Sequence, residues 1–357
     1  MRRAVVDEVH QRRTRAPKGF SRPHGALIEL AAGRTLPSVE DASALIRSAI
    51  EHRMEGLLWR AFEEGQIALP SGLGRSLAVF HLEARRRHET MWDSIAVVTE
   101  ILDHASIGFV VMKGVANEGR FYERIGDRSV GDLDIWIGPP DRGRFGEALR
   151  LLQPDHELGQ TAQQLLDRKY LQSVDLVLPT GIVVDLHSNP FNWGMETKSA
   201  ELMWNRRQTL TLPGRSAVQV LDVNATLALA LIHLNLDGLA PLPGFLDVHR
   251  ILKADGLSIS DSMNLLRSEG LESHGWMTLS AVQTILGLNQ DFHVPPSNSD
   301  WWWNLIWRKG TYPYTQVGSK WRRRGSSYAV RFTAKKRTIE ALRHAGRRIL
   351  RPIMTDL

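Results

Sequence analysis

Ile107-Gly108-Phe109-Val110-Val111-Met112-Lys113-Gly114 and, eighteen residues on, Asp132-Leu133-Asp134-Ile135-Trp136-Ile137-Gly138 decide how this chain is read. The first run is short, apolar and rich in β-branched residues, and it ends in Lys-Gly, after which residues 115–123 suit a helix. The second alternates polar and apolar residues until Gly138-Pro139-Pro140 stops it. Residues 142–152 then carry a helical stripe of Phe145, Leu149 and Leu152. Two more strands, 173–178 and 182–187, flank the turn Pro179-Thr180-Gly181. The order strand, helix, strand, helix, strand, strand describes a compact unit over residues 105–193, and helices on both sides of it make the whole chain α+β.

Upstream, residues 1–37 read as a basic leader and 38–104 as a helical region of two or three helices, broken at Leu69-Pro70-Ser71-Gly72. Within it, His81 to Glu89 is dense in Arg and His and reads as a solvated helix face. Downstream, residues 194–290 hold a hairpin over 206–220 around Pro213-Gly214, then helices at 225–236 and 245–253. Residues 291–357 form a Trp- and Arg-rich segment.

The chain has 357 residues and no cysteine, so thiolate nucleophiles, Cys-ligated zinc and iron–sulfur clusters are excluded, and any metal must be held by carboxylates or His. The net charge of +6 conceals an asymmetry: residues 301–357 hold 14 Lys/Arg against 2 Asp/Glu, and residues 1–24 hold 7 against 2. The middle carries 24 Lys/Arg against 35 Asp/Glu, so its chemistry is that of an acidic body and not of a general nucleic-acid binder. With neither a signal-peptide core nor an apolar run of about 20 residues, the expected location is the cytoplasm, with peripheral membrane attachment open.

Asp132 and Asp134 stand two apart in a strand pattern and share a face, opposite Leu133, Ile135 and Ile137. Asp185 lies in the strand Val183-Val184-Asp185-Leu186-His187 and joins them if the two strands are neighbours. Clustered carboxylates repel unless a cation neutralises them, so substituting one of them should relieve strain in the metal-free protein. The alternative for a bare Asp-x-Asp is decoration of a solvent face. Lys113-Gly114, delivered by a strand to a helix start, offers free backbone N–H groups to a phosphate, with Lys113 or Arg128 as counter-charge.

Three stretches together resemble the DNA polymerase β-like nucleotidyltransferase superfamily: Val111-Met112-Lys113-Gly114, Arg128-Ser129-Val130-Gly131-Asp132-Leu133-Asp134-Ile135, and Val183-Val184-Asp185-Leu186-His187. They are similar in particular to its group of uncharacterised nucleotidyltransferases, where Lys-Gly replaces the usual Gly-Ser. The likeness is clear over residues 102–193 and loose to about residue 252. It implies a mixed sheet flanked by helices and transfer of an NMP group from an NTP such as ATP to an acceptor. Asp132, Asp134 and Asp185 would be catalytic and would bind two Mg²⁺ ions, or Mn²⁺ in their place. Lys113, Gly114 and Arg128 would bind the nucleotide, with His187 behind Asp185. A catalytically inactive nucleotide-binding protein, or an accessory protein of a biosynthetic pathway, stays open as the alternative.

His233 reads as a buried, satisfied histidine, and Asp247 as a carboxylate facing the cleft without a catalytic role. The segment from Trp301 to Trp307, followed by Trp321-Arg322-Arg323-Arg324, suits an anionic lipid surface, RNA or a protein partner, or simple packing on the helical body.

Overall fold

The computed structural model describes residues 25–36, 39–154, 172–191, 197–212, 214–237, 239 and 242–288. Both the Trp- and Arg-rich segment and the first 24 residues lie outside these.

Six strands form one mixed sheet: β1 Phe109–Met112, β2 Leu133–Ile137, β3 Ser173–Val177, β4 Val183–His187, β5 Arg207–Leu210 and β6 Val218–Leu221, in the order β3-β4-β2-β1-β6-β5. β1 runs antiparallel to β2 and parallel to β6, while β2 and β4 run parallel. β3 with β4 and β5 with β6 are the two hairpins read from their turns.

The period-two pattern sorts side chains to two cores. Leu133, Ile135 and Ile137 join Val111, Val184, Leu186 and Val220 on one face. The C-terminal half of the long helix α4 (Ser71–His104) covers that face with Met91, Ile95, Val98 and Leu102, together with α6 (Phe145–Leu152). Trp136, Val110 and Met112 point the other way, into a helical core. Its centre is α8 (Val223–Leu236), a Leu- and Ala-rich helix buried nearly all round and started by Asp222, whose side chain accepts from the Ala225 N–H at 2.7 Å. Around it stand α9 (Leu242–Ile251), α10 (Ile259–Glu269) and α11 (Glu272–Leu286). The face opposite Leu133 is therefore covered, and a carboxylate on it is not a surface ornament.

Residues 25–31, read as part of the leader, form α1 (Gly25–Ala31), whose Ala26, Leu27, Leu30 and Ala31 are buried in the helical core. The N-terminal helical region adds α2 (Ala42–Glu51) and α3 (Glu55–Glu63) to α4. A short helix, α7 (Ala200–Asn205), precedes β5, and α5 (Lys113–Phe121) links β1 to the loop before β2. Among the described residues no helix is long and apolar enough to cross a membrane.

Two of the buried histidines, His52 and His274, are held strongly neutral. Burial pulls the imidazoles of His52 and His274 down to about 4, because a charge there has lost its water. Both stay neutral in the folded protein while the unfolded chain takes up a proton below about 6.5. The contribution of these two should thus be flat above that pH and fall between about pH 6.5 and 4, by up to roughly 3 kcal/mol per histidine. Urea unfolding at pH 7.5 and 5 checks this: His274→Gln or His52→Gln should flatten the difference.

Candidate active site

β1 ends at Met112 and hands the chain to α5 through Lys113, whose φ of 53° lies in the left-handed region that side chains rarely adopt. That turn lays the lysine back over the sheet. Lys113 Nζ donates to Asp134 Oδ1 at 2.5 Å and stands 3.4 Å from His187 Nε2. Parallel pairing sets Asp134 opposite Asp185 and Trp136 opposite His187, so the second carboxylate and the imidazole arrive on the same covered face. His187 Nε2 lies 2.9 Å from both Asp134 Oδ1 and Asp185 Oδ2 and bridges them. One donor atom from each of Asp134, Asp185 and His187 fits within 4.8 Å.

Burial pushes the Asp134 carboxyl up, but Lys113 and His187 outweigh it and hold it well below the usual carboxylate range. Asp185 is also lowered: the His187 hydrogen bond and the lysine overcome its burial. Asp132 moves the opposite way. Desolvation at the cleft wall and the charge of Asp134 push it up, against the pull of Lys113. It stands just before β2 and is exposed, whereas Asp134 is buried; it also lies outside the close group of donor atoms. A fourth carboxylate completes the face: Asp175, opposite Asp185 in the β3–β4 hairpin and raised by burial and by Asp185.

Lys113, Asp132, Asp134 and Asp185 open on a cleft of about 340 Å³ between the sheet and the helical region, lined also by Gly114, Arg128, His233, Asp237 and Asp247. Gly114 is the second residue of α5, whose start has no side-chain cap. A Cβ there would come 2.8 Å from Val130 and 2.9 Å from Arg128 Nη1, so only glycine lets the arginine lie against the helix start. Arg128 makes two charged hydrogen bonds of 2.7 Å to Asp247, which also accepts from Tyr122 at 2.6 Å. This pair ties the loop before β2 to α9. Asp247 thus faces the cleft and orients Arg128.

His233 departs from expectation. Its side chain is 46% exposed, on the cleft wall, 3.5 Å from Asp237 one turn along α8. An exposed position arises because α8 is uncovered along that one strip above the sheet. The face read as solvated on α4 is also divided. Arg85, Arg86 and Arg87 are exposed, but His88 is buried, pairs with Glu118 and donates through Nε2 to the Arg128 carbonyl at 2.7 Å. Glu118 in turn accepts from the Gly126 N–H at 2.7 Å, and Arg60 of α3 donates to Asp127 at 3.0 Å. The N-terminal helices therefore clamp the loop that carries Arg128 to Asp132.

The sequence profile of the family described as "Uncharacterised nucleotidyltransferase" matches residues 38–287, about seven-tenths of the chain. The chain belongs to that family. The match takes in α2 to α11, so the clamping helices and the helical core are part of the family's unit along with the sheet. No curated protein matches. One solved structure that does is described as an antigenic nucleotidyltransferase-like protein from Paracoccidioides brasiliensis. It is 17% identical, with 52% of this chain and 92% of that chain covered and a TM-score of 0.32, a likeness too loose to support any argument about the site.

The paired and unpaired carboxylates of this family member should separate in a stability measurement. Asp132→Asn removes a repelled charge and should leave metal-free stability equal or higher. Asp134→Asn takes the ionised partner from Lys113 and His187 and should cost about 2–3 kcal/mol, a departure from the relief expected of any carboxylate in the cluster. Urea unfolding in EDTA at pH 7.5 reads both, and equal losses would contradict the distinction.

Proposed function

We propose that the protein transfers a nucleotidyl group from an NTP to a hydroxyl or phosphate of an acceptor, with Asp132, Asp134 and Asp185 at the reacting end of the cleft. The observation that carries this reading is the register of β2 against β4, which sets Asp134 beside Asp185 below the start of α5. The donor set suits a divalent cation. Two carboxylates and an imidazole converge, and Asp185 Oδ1 is buried with no hydrogen-bond partner among the described residues. Mg²⁺ or Mn²⁺ held by Asp134 and Asp185, and reached by Asp132 from the rim, would neutralise phosphate charge and lower the acceptor's pKa.

The chain's own groups do the positioning. The uncapped N–H groups at the start of α5 and Arg128 Nη1, side by side at Gly114, offer donors to phosphoryl oxygens. Lys113 keeps a positive charge against the carboxylates in spite of its burial, because Asp134 and Asp185 hold its pKa up. His187 fixes the rotamers of both aspartates by bridging them. The Arg128–Asp247 pair holds the helical wall against the sheet and so sets the cleft's width.

A second reading has one observation in its favour: Lys113 already supplies the cluster with a counter-cation. A protein so balanced could hold a nucleotide without turnover, as a regulator or an accessory protein of a biosynthetic pathway. Pyrophosphate release from each of the four NTPs, with Mg²⁺ or Mn²⁺ and a panel of hydroxyl- and phosphate-bearing acceptors, separates the two. Transfer predicts release by the wild type that falls at least about 100-fold in Asp134→Asn and Asp185→Asn. Tight NTP binding with no release from any combination selects the second reading, and neither binding nor release overturns both.

A further inference from the structure

Among the described residues three permanent cations line the cleft: Lys113, Arg128 and Arg53. The first two are engaged, Lys113 with Asp134 and Arg128 with both oxygens of Asp247. Five carboxylates line the cleft against these three cations, so beside any metal ion a polyphosphate would gain most from a side-chain cation outside those pairs. Arg53 is that cation. Its side chain is exposed to the cleft and makes no hydrogen bond or ion pair among the described residues.

The backbone presents it deliberately. Arg53 sits in the turn between α2 and α3 with φ of 52°, where glycine is the ordinary residue. Its own N–H donates to the Ile50 carbonyl at 3.1 Å, and that of Met54 to Ala49 at 2.7 Å, so the turn is closed on both sides. An arginine in a conformation that favours glycine points to a use for its side chain. The far end of that side chain meets Gly131, where a Cβ would stand 2.7 Å from Arg53 Nη1. The bare backbone at Gly131 makes room for the guanidinium next to Asp132, whose carboxyl it helps pull down against the push of desolvation and Asp134.

We propose that Arg53 receives the polyphosphate of the nucleotide, its guanidinium giving paired hydrogen bonds to phosphoryl oxygens at the rim of the cleft beside Asp132. The assignment rests on the nucleotide reading of the cleft given above. It makes the turn between α2 and α3, outside the sheet and its motifs, part of substrate binding.

Calorimetric titration with inorganic tripolyphosphate in Mg²⁺ tests it without knowledge of the base. The four NTPs, and the parent nucleoside of any that binds, form the other arms. Arg53→Gly should weaken tripolyphosphate and NTP binding about 10- to 100-fold and nucleoside binding less than about threefold. Glycine suits the left-handed turn, so the melting temperature should be equal or higher, which separates a lost contact from a lost fold. Arg53→Gln, which keeps a shorter polar side chain without the charge, should repeat the loss. Wild-type affinity for tripolyphosphate in either variant overturns the assignment while leaving the nucleotide reading intact. A wild-type protein that binds neither tripolyphosphate nor any NTP overturns that reading, and this assignment falls with it.

Discussion

Two carboxylates are forced together on a covered face of the sheet by the parallel pairing of β2 with β4, and the rest of the site answers that constraint. Like charges in poor contact with water are unstable unless cations and hydrogen bonds meet them. Lys113 and His187 do so, and each needs a structural device. The lysine sits in a left-handed conformation at the end of β1, and the histidine requires the parity that sets it on β4 opposite Trp136 of β2. A register slip of one residue would turn Asp185 and His187 into the apolar core and bring Val184 and Leu186 out in their place. The sheet's apolar alternation and the polar cluster are thus one pattern seen from two faces.

The second constraint lies in the loop between α5 and β2. A segment that carries Arg128 and Asp132 with no regular structure of its own has to be held from outside. His88 and Glu118 grip its backbone, Arg60 holds Asp127, and Asp247 holds the Arg128 side chain. Helices from before and after the sheet share the work, which agrees with a family unit that starts at residue 38 and runs to 287 instead of ending with the strands.

Much of this was legible in the chain. Alternation gave away β2 and β4, the apolar run β1, and the turns at Gly181 and Gly214 both hairpins, because these signals are local. The sequence groups Asp132, Asp134 and Asp185 on one face and gives Lys113 to a phosphate; the structure brings Asp134, Asp185 and His187 together, pairs Lys113 with Asp134 and leaves Asp132 outside the close group. What escaped depends on pairings across long stretches of chain. Asp175 looks like any strand carboxylate until the hairpin sets it opposite Asp185. His88 was hidden among arginines, although the spacing of Ala84, His88, Met91 and Ile95 marks the buried stripe of α4. Arg53 has no sequence signature, since nothing local announces a left-handed arginine or its approach to Gly131. His233 was misplaced because a Leu- and Ala-rich helix implies burial all round, and its one open strip is set by the cleft.

The central claim is that Asp134 and Asp185 together make a cation site. Titration of the metal-free protein with Mn²⁺, followed by the loss of the free-ion electron paramagnetic resonance signal, tests it most directly. The wild type should bind Mn²⁺, and Asp185→Asn, with an unchanged far-ultraviolet circular dichroism spectrum, should bind at least about tenfold more weakly. Equal Mn²⁺ affinity in the wild type, Asp185→Asn and Asp134→Asn would show that the paired carboxylates hold no metal, and would contradict the account.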